Sequence, residues 1–200
     1  MSVFLSWFVI ILIAVTSVGL LLARDWRWLV IYLSAQYIGV FILTLQHLPL
    51  GMATVKIIAG WMSAAILGMT RSNLGEEDIE ETSSALPHGR FFRFIAAVIV
   101  GAVAFTAAPF VNAMMADAGM AVAAGSLLLI GMGLFHLSVT DQTLRVTLGL
   151  MTVLAGFEVL YAAVESSVLV AALLAVINLG LALVGSYLMT ASHAEETEPV

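Results

Sequence analysis

A chain of 200 residues that is 62% hydrophobic and only 10% charged, with a mean hydropathy of +1.10, is not a water-soluble domain, since globular domains run about 45–50% apolar and about 25% charged. A net charge of −6 with 7 Lys+Arg gives no electrostatic footprint for nucleic acid. The lack of cysteine excludes disulfides, thiolate metal sites, iron–sulfur ligation and cysteine nucleophiles. His47, His88, His136 and His193 have no metal-ligand spacing, so neither metal nor cofactor is expected.

The surplus apolar surface must face lipid. A bilayer core about 30 Å thick takes roughly 20 apolar residues of helix, and seven runs qualify. In chain order they are Val3–Ala23, Trp28–Leu45, Leu50–Thr70, Phe94–Val111, Met120–Val139, Val146–Val164 and Val168–Met189. The first is too long, and followed too soon by the second, for a cleaved signal peptide. The runs are continuous rather than alternating, which rejects a membrane β-barrel, and helices satisfy their own backbone in lipid. The expectation is an all-α integral membrane protein of seven transmembrane helices. Residues 1–71 form a three-helix part, 72–93 an acidic loop carrying Glu76, Glu77, Asp78, Glu80 and Glu81, 94–191 a four-helix part and 192–200 an acidic tail. Loop and tail read as solvated connectors.

Arg24 and Arg27 lie between spans one and two, Arg71, Arg90 and Arg93 between three and four, and Arg145 between five and six. The alternate loops hold no Lys or Arg. Cation-rich loops stay in the cytoplasm, so the N-terminus is expected outside and the C-terminus inside, in the inner membrane of a prokaryote.

The informative residues are the polar ones inside spans, because an ionisable group at the bilayer centre costs about 2.5–3.5 kcal/mol on insertion scales. Glu158 lies about 18 Å into span six, close to the midplane at the helical rise. It reads as a proton-relay or coupling carboxyl ahead of a neutral one merely bonded to a neighbour. Glu165, two turns on, reads first as an interfacial carboxylate, about 10 Å from Glu158 and bridgeable by water. Lys56, the lone lysine, either snorkels outward or is a switchable cation beside a carboxylate. A Lys56–Glu158 pair requires spans three and six to meet. Asn178 reads chiefly as a bond between helices, His136 as an interfacial histidine with a second reading in proton uptake, and Gln36 and Tyr37 as polar packing contacts. Gly149, Gly156, Gly180 and Gly185 permit close helix approach.

From Leu127 the chain reads through GMGLFHLSVTDQTL, Arg145, VTLGLMTVLAGFEVLYAAVE and AVINLGLALVGSYLM. This stretch resembles the three-helix membrane subunit K of bacterial NADH:quinone oxidoreductase (complex I). It is also similar to the C subunit of multisubunit cation/proton antiporters and to the C-terminal half of component E of hydrogenase-4-type complexes. Arg145, Gly149, Gly156 and Glu158 match that family's basic loop, helix glycines and membrane glutamate. The family's second membrane glutamate falls at about Val176 here, where there is no acid. TVKIIAGWMSAAILGMT around Lys56 looks like the lysine-bearing helix of hydrogenase-4 component E.

The resemblance implies an accessory, non-catalytic subunit of a complex I-related proton- or cation-translocating assembly. Its partners would be larger antiporter-like membrane subunits, and Glu158, with Lys56, Glu165, Asn178 and His136, would belong to a charge-coupling path. A stand-alone small secondary transporter predicts inverted repeats and broken mid-membrane helices, of which Pro109 alone gives a hint. An assembly scaffold in which Glu158 is simply paired is the other alternative.

Overall fold

The computed structural model describes residues 3–74, 89–115 and 118–197. The acidic run Glu76–Glu81 lies outside them. Among the described residues there are seven helices and no strand: α1 Val3–Leu22, α2 Trp26–Thr44, α3 Leu50–Asn73, α4 Arg90–Met114, α5 Met120–Ser138, α6 Thr143–Ala162 and α7 Val168–Thr197. All seven are long and apolar enough to cross a membrane.

Each helix begins or ends within a few residues of its expected span, except where it runs past the apolar stretch. α3 continues through Arg71, α4 starts at Arg90, α6 starts at Thr143 and α7 continues into the expected tail. Of the arginines expected in loops, only Arg24 therefore lies between helices; the other five sit on terminal turns. The reason is that an α-helix satisfies its backbone in water and lipid alike, so loss of apolar character does not by itself stop it. Where a stop is needed it is built locally. Asp25 caps α2 by accepting the Arg27 backbone N–H at 2.9 Å, one of the four donors a helix start leaves unpaired.

α1, α2, α3, α7, α6 and α5 follow one another around a ring, and α2 leans inward to touch α5 and α6 as well as its ring neighbours. α4 stands outside, against α5 and α1. Arg145 Nη2 donates to the Ala23 carbonyl at 2.6 Å, placing the end of α1 beside the start of α6. His47 meets the Ala118 carbonyl at 2.9 Å, joining the α2–α3 and α4–α5 connections at the other end. The bundle thus has an arginine end and an opposite end.

Missing side chains set the closest approach. A Cβ on Gly133 would stand 2.8 Å from the Val153 backbone nitrogen, and one on Gly156 the same distance from the Ser126 carbonyl oxygen. The α5–α6 seam therefore closes only over glycine. Gly149 and Gly185 likewise face Leu137 and Thr147 directly, whereas Gly180 faces open space and mediates no approach. Large apolar side chains left outside the bundle concentrate on α4 and α7, among them Phe91, Ile99, Phe110, Leu169 and Leu183. Such a band fits lipid or another membrane chain, not water.

Candidate functional site

The polar side chains that the spans carry are inside the bundle. Lys56 and Glu158 are 2% and 1% exposed, and Lys56 Nζ lies 3.1 Å from Glu158 Oε1. α3 and α6 are not ring neighbours, so the four-carbon lysine stem crosses the interior to make this ion pair. Neither Glu158 oxygen accepts an aligned hydrogen bond. The pair is a close charge contact that leaves hydrogen-bonding capacity on the carboxylate unused, which is costly in a low-dielectric interior.

The limits of α6 place Glu158 near one end of the helix. It stands about 22 Å from the start at Thr143 and about 6 Å from the end at Ala162, at the helical rise. Because α6 begins before Val146 and ends before Val164, the ion pair lies in the third of the helix nearest the opposite end. Lys56 agrees, about 9 Å from the start of α3.

Two hydrogen-bonded groups extend the polar interior. Tyr37 of α2 places its hydroxyl 2.9 Å from Asn178 Oδ1 and 2.7 Å from Nδ2 on α7. Ser63 of α3 donates to the Asn178 backbone carbonyl at 3.3 Å. Tyr37 fits because its ring lies over Gly60, where no Cβ has room. Nearer the arginine end, Gln36 Nε2 donates to Ser17 at 3.0 Å, and Thr152 donates to Gln36 Oε1 at 3.3 Å and to the Leu148 carbonyl at 2.8 Å. Gln36 and Tyr37, expected as packing contacts, are thus central to both groups.

Of the five residues singled out from the sequence, Lys56 and Glu158 are in contact. Asn178 joins the adjoining group through Tyr37. Glu165, exposed in the α6–α7 connection, shares a cleft with the pair. That cleft is lined by Lys56, Glu158, Tyr161, Ala162, Glu165 and Ser167 among others, and gives water centres about 10 Å³, the scale of one molecule.

His136 stands apart. Gly133 faces Gly149 across the seam, which sets His136 level with about Val146, about 18 Å along the axis from Glu158. It is 5% exposed and its Nε2 has no hydrogen-bond partner among the described residues. The neighbouring Arg145, also 7% exposed, bonds Gln142 Oε1 at 3.0 Å and the Ala23 carbonyl. Both are drawn inside because α6 starts a turn early and α1 closes over its first turn.

Thr152, Ser17 and Ser63 were not singled out by their residue types. Spacing holds a signal for one: Ser63 follows Lys56 by two turns on the same face. Among the described residues no group of three or more His, Asp or Glu could hold a metal ion. No protein-family model, curated protein or solved structure matches this chain.

Proposed function

We propose that this chain is a non-catalytic membrane subunit in which the Lys56–Glu158 pair couples charge movements, within a complex I-related assembly that moves protons or other cations. The observation that carries the reading is an ion pair about 98–99% buried in an apolar bundle, with carboxylate oxygens left short of hydrogen bonds. A pair kept only for stability is a poor choice, because well-packed apolar residues of similar volume are often as stable or more so. A pair that must respond to a neighbouring charge cannot be replaced that way. Proton arrival at Glu158, or a cation approaching from an adjacent subunit, would weaken the hold on Lys56 and shift the field across the polar groups around Tyr37 and Asn178.

The resemblance of the Leu127–Met189 stretch to subunit K and to hydrogenase-4 component E supplies the assembly. The apolar faces of α4 and α7 offer surface for larger antiporter-like subunits as well as for lipid. On the arginine distribution, the N-terminus is outside and the C-terminus cytoplasmic, in a prokaryotic inner membrane. The stand-alone transporter is the weaker reading, since α4 runs unbroken through Pro109 and the other described spans are continuous too, where midplane breaks are expected of such transporters.

Purification in mild detergent followed by mass spectrometry tests the assembly. Copurifying antiporter-like subunits are expected, and a monodisperse lone chain or homo-oligomer would sink it. With the complex in hand, Glu158→Gln is expected to abolish ion movement coupled to its chemistry. Full coupling by that variant would reject the role of the pair.

A further inference from the structure

We infer that Glu158 exchanges its proton with water entering from the end of the bundle opposite the arginines, through the cleft beside the α6–α7 connection, with Glu165 as the outer carboxylate of that path. The inference deepens the coupling reading and rests on it for the purpose of the exchange; access itself is measured separately.

Three observations place the path. Glu165 is exposed and Ser167 half-buried at one end of the cleft, while Lys56 and Glu158, both nearly inaccessible, line the same cleft at the other. The cleft has room on the scale of a single water. A water there would find an acceptor, since Glu158 Oε2 is buried without a hydrogen-bond partner while Oε1 is held by Lys56, and a stable buried water makes about three hydrogen bonds. Glu158 is on the last turns of α6 and Glu165 lies three residues past its end, and both line the same cleft.

Towards the arginine end the same carboxylate is closed off. α6 buries Ala155, Met151, Leu148 and Leu144 below Glu158, and α2 sets Leu33 and Leu29 among the buried residues of the same core. The polar groups at that level are already engaged: Gln36 uses its amide nitrogen on Ser17 and its oxygen on Thr152. The charged and titratable groups around Glu158 are Lys56 from α3, Tyr37 from α2, Tyr161 from α6 and Glu165 from the α6–α7 connection, while α7 contributes the neutral Asn178. Lys56 stands at the inner end of the cleft, so a proton reaching Glu158 neutralises the charge that holds the ammonium there.

The chain has no cysteine, so single-cysteine variants are clean probes. Ala162→Cys and Ala171→Cys line the cleft, and Ala155→Cys lies below Glu158 on α6. The full chain is reconstituted into sealed vesicles, with Arg24→Cys and an impermeant maleimide reporting orientation. Silver ion, small and membrane-impermeant, is added to one side in chloride-free buffer, and remaining thiols are counted by mass after denaturation. Monodisperse elution and unchanged helical content qualify each variant. Ala162→Cys and Ala171→Cys are expected to react only from the side opposite Arg24, and Ala155→Cys from neither. Adding Glu165→Gln is expected to slow the reaction at Ala162→Cys several-fold, because the outer carboxylate concentrates cations at the mouth. Silence at both cleft positions, or reaction of Ala155→Cys from the Arg24 side, overturns the inference; an unchanged rate in the Glu165→Gln background removes Glu165 from it. One-sided access without copurifying subunits would leave the path standing and reject the coupling reading, and the converse result would do the opposite.

Discussion

α4 and α6 are both apolar helices of membrane-crossing length, yet 61% of α6's apolar window is buried inside the bundle against 17% of α4's. Hydropathy does not separate them, since α4 is the more hydropathic of the two. What separates them is where side chains depart from plain apolarity. α6 carries Thr147, Thr152 and Glu158 with Gly149 and Gly156, so it presents polar groups that need partners and gaps that neighbouring helices can enter. α4 carries Phe and Val along its length, and its deeply buried positions are alanines. In lipid the apolar side chain gains little by turning inward; polar and small residues therefore decide which helix is central.

That contrast can be broken by experiment, most severely at the ion pair. Lys56→Met leaves the Glu158 carboxylate buried without its cation, and loss of one partner of a buried pair costs about 3–5 kcal/mol. Unfolding in mild detergent is expected to register a loss of that order. The double variant Lys56→Met/Glu158→Gln is expected to recover most of it. Additive losses in the double-mutant cycle would mean the two side chains do not interact.

Next comes the glycine seam. Gly156→Leu must push against the Ser126 carbonyl and the Leu129 Cβ, and overpacking of this kind costs about 1–3 kcal/mol. Gly101→Leu on α4 has a single side-chain atom, Leu128 Cδ1 at 3.8 Å, near its Cβ position, and is expected to unfold like the parent. Equal losses at both sites would erase the distinction between the helices.

Smaller still is Tyr37→Phe, which removes one interhelical hydroxyl from Asn178. Hydrogen bonds between membrane helices average about 0.6 kcal/mol and reach about 1.7, so a decrease in that range is expected in the same assay. A null effect would mean that Asn178 finds another partner. Least of all, Ile99→Ala on the outer face of α4, where Ile99 is 58% exposed, is expected to stay within about 0.5 kcal/mol of the parent. A larger loss in the isolated chain would show that α4 packs against more than α5 and α1.

Much of this was legible in advance, and the reasons are particular. All seven helices were readable because a bilayer thickness imposes a length, and Lys56 and Glu158 because a charge in such a run is expensive enough to stand out. Their meeting was not readable. It depends on a lysine stem spanning helices that are not neighbours, and no local pattern encodes that. The start of α6 is not readable from where arginine ends the apolar run, because the helix continues a turn beyond it. Tyr37 reads as a packing contact, since a ring in a span gives no sign of what its hydroxyl faces. Thr152 was invisible for a different reason: a threonine in a helix can satisfy itself on the preceding turn, as its bond to the Leu148 carbonyl does here, so nothing in its type demands an interhelical role.

The distance along the chain between the two partners of the ion pair sets a timetable. Lys56 leaves the ribosome roughly 100 residues ahead of Glu158, which at about 5–20 residues per second is on the order of 5–20 s. During that interval α3 sits in the bilayer with its ammonium uncompensated, and Tyr37 waits longer still for Asn178. The early helices can hold only a provisional arrangement, with Lys56 snorkelling to the near surface. Arrival of α6 and α7 then draws it inward. A nascent chain stalled before residue 158 would leave Lys56 without the carboxylate it meets in the finished bundle.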